Sequence, residues 1–219
     1  MIHCYGNSHV AIFSGSPPSG NKTKSFKDWQ PKVNPDYPNL RTVFLGPIIA
    51  YNFYEHHLSN VKKDLIKIPK TDSILLCVGE IDCRYHIAKK IMDTGGDIDQ
   101  VVLLSVRRYV KAISQLTDEG WNMIVVGVHP STLLPHCEDL ATPHWGDCAF
   151  RNSISASWNS QLSTACDEIG VTFVSIYDFL VDDHNITLDN GAFLDFCHIS
   201  YDMCFPLYLE RMRAKGVVV

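Results

Sequence analysis

At 219 residues the chain is long enough for one well-buried domain, and a 46% hydrophobic composition is ordinary for a globular core. Its 19 basic and 24 acidic residues give a formal charge of -5, without long runs of one sign, so neither nucleic acid nor an anionic membrane is an expected partner. The most apolar stretches, such as TVFLGPIIAYNF from Thr42 to Phe53, are too short and interrupted to span a bilayer, and the N-terminus lacks the pattern of an export signal. A soluble cytoplasmic protein is expected. Its eight cysteines, with no Cys-x-x-Cys pair, then read as reduced thiols, and the Asn-x-Thr sequons at Asn21 and Asn185 carry no meaning.

In chain order, an apolar strand is expected over Met1–Gly6, running straight into Gly6-Asn7-Ser8-His9. Gly15–Leu40, rich in Pro, Gly, Ser and Lys, reads as irregular. Further strands are expected at Arg41–Gly46, Ser73–Gly79, Trp121–Pro130 and Val171–Asp178. The third and fourth are apolar at nearly every position, as in a parallel sheet covered on both faces. Helical spacing predicts crossovers over 98–120 and 152–170, each ending on a glycine, Gly120 and Gly170. A second irregular stretch, His129–Asp147, is rich in Pro and His. Alternating strands and helices predict a single domain over 1–219 with a three-layer, doubly wound α/β fold of about five strands, whose site lies at the carboxyl ends of the strands.

Ser8 follows the first strand and so belongs at that edge. A serine hydroxyl needs a histidine within hydrogen-bond reach, and the histidine needs an orienting group. Ten histidines decide nothing by number. By position, Asp195 and His198 stand three residues apart ahead of a last helix, a spacing at which carboxylate and imidazole share one side of a turn.

Gly6-Asn7-Ser8, Gly46 after the second strand, Gly79-Glu80-Ile81-Asp82 after the third and Asp195-x-x-His198 resemble the ordered blocks of the SGNH/GDSL hydrolase superfamily. The resemblance implies a flavodoxin-like sheet, with Ser8 as nucleophile, His198 as base and then acid, and Asp195 as orienting carboxylate. It also implies an oxyanion hole built from the backbone N–H groups of Ser8 and Gly46. The implied reaction is acyl-ester cleavage or acyl transfer through an acyl-serine, with no cofactor and no metal, and acylated carbohydrate is the preferred substrate class. Two departures stand out. Asn7 replaces the usual Asp of the first block and can make much the same turn bonds, whereas Ile81 replaces the Asn that would be a third oxyanion donor. Asn52 and Arg84 are the nearest candidates to substitute for it.

Several of these residues read two ways. Ser8 is equally a helix N-cap, Asp195-x-x-His198 a local surface turn, and Gly46 a turn glycine before Pro47. Glu80, Asp82 and Arg84 form either a substrate-contacting group or a structural ion-pair cluster in which Arg84 pairs with Asp82. The loop with His129, His136, Cys137, His144, Asp147 and Cys148 has no recognised zinc spacing and reads as a cover over the substrate, with Trp145 stacking on a sugar ring or packing on the core. The competing function is a glycan- or partner-binding domain on the same fold with an impaired site, which the Ile81 substitution favours.

Overall fold

Gly6 ends β1 (Ile2–Gly6) flush against β4 (Ser73–Cys77), paired in parallel with Gly6 opposite Cys77. A Cβ at Gly6 would come within 2.3 Å of the Cys77 carbonyl oxygen, so only glycine allows this approach. The computed structural model describes residues 1–15, 31–138, 143–195 and 197–219. The first sequon, at Asn21, lies outside them. In the second, Asn185 is part of the fold: its side-chain oxygen accepts a 2.7 Å bond from the Tyr177 hydroxyl.

Six strands form one sheet in the order β2-β3-β1-β4-β5-β6, with β2 at Lys32–Val33, β3 at Leu40–Phe44, β5 at Asn122–Val126 and β6 at Thr172–Val174. All neighbours run parallel except β2, which pairs antiparallel with β3. Leaving out that edge strand, the five parallel strands stand in the doubly wound order of flavodoxin-like sheets, as expected. The short β2 falls within the stretch read as irregular. It has two residues, both exposed, so it lacks the apolar run by which a strand is recognised.

Side chains alternate between two apolar layers. Tyr5, Ile74, Leu76, Met123 and Val125 face α2 (Leu58–Leu65), α3 (Ala88–Thr94), α4 (Ile98–Asp118) and α5 (Cys148–Glu168). Cys4, Leu75, Cys77, Ile124 and Val126 face α6 (Tyr201–Ala214) and a 3-10 turn at Ser8–Phe13. A four-residue helix, α1 (Phe53–His56), precedes α2. The expected helix over 98–120 appears as α4, with Asp97 capping the Gln100 N–H at 3.0 Å. The one expected over 152–170 starts four residues earlier, at Cys148, where Asp147 caps Phe150 at 2.8 Å.

The buried face of α5 carries polar residues that fix the neighbouring loops. Asn159 spans the Val128 N–H and C=O at 2.7 Å each, just past β5. Fully buried Arg151 donates to the carbonyls of Thr132, Leu134 and Gly146 and to the Ser131 hydroxyl. The His- and Pro-rich stretch is thereby folded around one guanidinium. No helix among the described residues is long and apolar enough to cross a membrane. Gly6→Ala is expected to lower unfolding free energy by about 2 kcal/mol or more, the upper part of the range for forced overpacking, read as a shifted midpoint in urea denaturation.

Candidate active site

Asn7, not Ser8, caps the 3-10 turn after β1: its side-chain oxygen accepts from the His9 N–H at 3.1 Å. The Ser8 hydroxyl is thereby free to turn to His198, whose Nε2 lies 2.8 Å from Ser8 Oγ across 190 residues of sequence. On its other side the His198 ring meets Asp195, with Nδ1 2.8 Å from Oδ2 and 3.0 Å from Oδ1. The Asp195 carboxylate also accepts the backbone N–H groups of Cys197 at 2.9 Å and His198 at 2.8 Å. Burial works against its charge, but these bonds, led by the one to His198, hold its pKa well below the usual carboxylate range. The segment is closed by a bridge between Phe193 and Ile199 and by the Leu194 N–H on the His198 carbonyl at 2.8 Å. Asp195-x-x-His198 is therefore both a local turn and a partner of Ser8.

Gly46 follows β3 with φ of 91°, a left-handed conformation that favours glycine. Among the described residues, neither the Ser8 nor the Gly46 N–H donates to a protein acceptor. Ile81 sits half-buried in the turn after β4.

The charged cluster after β4 is arranged differently from one expectation. Arg84 pairs with Glu80, not with Asp82: its Nε donates to Oε1 at 2.5 Å and an Nη to Oε2 at 3.3 Å, and the other Nη reaches the Pro143 carbonyl at 2.7 Å. Asp82 is wholly buried and turns the other way, accepting the N–H groups of Ala50 at 2.8 Å and Tyr51 at 3.0 Å. Burial still pushes its pKa up to about 7. With both oxygens committed to the backbone, Asp82 shapes the loop beyond Gly46, and direct contact with substrate is corrected to that role. Asn52 lies on the same loop, its side-chain oxygen buried without a partner among the described residues.

Trp145 packs against the apolar layer of α4 and α5, with the Lys89 ammonium 4.3 Å from its ring centroid and His136 edge-on at 5.1 Å. One ring face is therefore already covered. Cys137 and His144 form a backbone bridge, and Cys148 points to the Ser131 carbonyl and Thr187.

Two histidines join the site that the motifs did not assign to it. His9, next to the serine, places Nε2 3.0 Å from Glu80 Oε2 and Nδ1 3.0 Å from Nε2 of His129, whose Nδ1 lies 2.8 Å from the Pro130 carbonyl. Both rings are buried, and the His9 ring lies 5.0 Å from that of His198. The signals are their places in sequence: His9 beside the serine, and His129 at the end of an expected strand, in the loop read as a cover over the substrate. Burial opposes charge on Glu80, but Arg84 and His9 together hold its carboxyl well below the ordinary range. Among the described residues, His9, Cys197 and His198 bring donor atoms within 4.8 Å of one another. Each ring nitrogen of those two histidines is already engaged within the protein.

A serine, histidine and carboxylate in hydrogen-bond series at the carboxyl edge of this sheet decide which fold to compare. This chain has the fold of the SGNH/GDSL hydrolases. Similar solved structures include a GDSL-like lipase from Bacteroides thetaiotaomicron, 14% identical, covering 99% of this chain and 88% of that one at a TM-score of 0.61. Phospholipase A1 from Streptomyces albidoflavus is 13% identical over 96% of this chain and 98% of its own, at 0.52. An acetyl xylan esterase, 14% identical, matches over the whole of both chains at 0.52. No protein-family model and no curated protein matches the chain. Within the SGNH/GDSL fold, the Glu80–Arg84 pair makes a direct stability test. Arg84→Met leaves a buried carboxylate without its main partner and is expected to cost about 3 kcal/mol or more. Adding Glu80→Gln should recover part of that loss in thermal or urea unfolding.

Proposed function

We propose that the chain is a serine-dependent esterase or O-acyltransferase that works through an acyl-serine, with acylated carbohydrate as its substrate class. The observation that carries this reading is the 2.8 Å contact between Ser8 Oγ and His198 Nε2, with Asp195 behind the ring. The GDSL-like lipase, the phospholipase A1 and the acetyl xylan esterase among the similar folds support ester chemistry, and the last of these supports a sugar-borne acyl group.

In this mechanism Ser8 Oγ attacks the ester carbonyl carbon while its proton passes to His198 Nε2, and Asp195 stabilises the imidazolium that forms. The carbonyl oxygen becomes an oxyanion facing the Ser8 and Gly46 N–H groups. His198 then protonates the departing alcohol. Water, in a hydrolase, or a hydroxyl of a second substrate, in a transferase, attacks the acyl-serine and gives its proton to His198, and collapse restores Ser8. Ile81 leaves the oxyanion with one side-chain donor fewer, a loss that elsewhere costs about a hundredfold or more in rate. Asn52 and Arg84 are the proposed stand-ins. That same residue favours the second reading, a binding domain with an impaired site.

A fluorophosphonate probe is expected to label Ser8, as located by peptide mapping, and Ser8→Ala to lose both labelling and turnover of acetyl esters. Ester turnover undiminished in Ser8→Ala would rule out the acyl-serine route, and absence of labelling in the unaltered chain would favour the binding domain. Asp195→Asn is expected to lower kcat about a thousandfold or more by disturbing the tautomer of His198.

A further inference from the structure

The contacts of His9 and His129 contain a proton count. Glu80, ionised against Arg84, offers only acceptors, and so does the Pro130 carbonyl. Between them stand two imidazoles and three contacts of 2.8 to 3.0 Å. Two neutral rings bring two N–H groups, one too few, and would set a lone pair against an oxygen or a second lone pair at one contact. All three contacts are direct, at distances that leave no room for a water molecule between the partners.

We propose that His9 and His129 share one extra proton as a buried imidazolium pair, anchored on Glu80, and that this charge positions and tunes His198 as positioning residues of the site. The charges nearby agree. Glu80 and Asp195 are anions and Arg84 a cation, so one positive charge on the pair brings this set to neutrality, with Asp195 half-exposed at its edge and the others buried. Glu80, Arg84, His129, His198 and the Cys197 thiol, which burial keeps protonated, are the charged and titratable groups facing His9, and His9, Glu80 and His198 those facing His129. Desolvation lowers the pKa of both rings, His129 to about 3 and His9 in spite of Glu80, so the extra proton is held by the three contacts and sits on His9, the ring that meets the Glu80 carboxylate. A cation there, 5.0 Å from the His198 ring, opposes a second one on His198.

The kinetic half of this inference rests on the proposed role of His198, whereas the proton count does not. Imidazole ¹⁵N NMR of the unaltered protein at pH 7 is expected to show one ring of the pair protonated on both nitrogens, and two neutral rings would overturn the proposal whatever the enzyme does. The kinetic test uses two variants of His129. His129→Gln can accept from His9 and donate to the Pro130 carbonyl, so His9 still needs two protons, and the acid limb of kcat/KM should stay near that of the unaltered protein. His129→Leu frees His9 to be neutral, so the acid limb should move up by about one pH unit. Equal acid limbs in both variants would overturn the tuning role. If no ester is turned over by the unaltered protein and Ser8 is not labelled, the ester reading fails on its own, and the spectrum still decides the pair.

Discussion

A carboxylate with almost no access to water has to be met by donors, and Glu80 is met by Arg84 from the turn after β4 and by His9 from the turn after β1. That requirement ties together parts of the chain that would otherwise only lie near one another. Arg84 reaches on to the Pro143 carbonyl and so fixes the loop past β5, while His9 reaches to His129 at the end of that strand. Since His9 adjoins Ser8, the placement of the nucleophile follows from the placement of a buried charge. The loop beyond Gly46 is held separately, by Asp82 through the backbone of Ala50 and Tyr51.

The strand ends do the rest of the positioning. β1 and β4 are the pair between which the strand order reverses, and crevices for ligands open at such a point. Ser8 leaves one of these strands and Glu80 the other, with Gly6 and Cys77 in register below them. Close approach at Gly6 brings the two exits near enough for a histidine on one to bond a carboxylate on the other.

The parallel strands and the long helices could be read from the sequence because their apolar periodicity is strong and local. The meeting of Ser8, Asp195 and His198 could be read because motif order points to it, although 190 residues separate His198 from Ser8. β2 was hidden because two exposed residues give no pattern. The pairing of Arg84 is hidden for another reason: Glu80 and Asp82 are two residues apart at the start of a helical segment, so they point in different directions, and only the fold shows which one meets the guanidinium. His9 and His129 are 120 residues apart, and among ten histidines nothing but tertiary structure marks them as partners.

The join between Ser8 and His198 has a temporal side as well. The turn that carries Ser8 packs through Phe13 on Phe205 and Tyr208 of α6, and the loop that carries His198 leads directly into that helix. Ser8 can therefore meet His198 only once α6 has docked beneath that turn, and the contact between the two side chains reports the docking of a helix that touches neither hydroxyl nor imidazole.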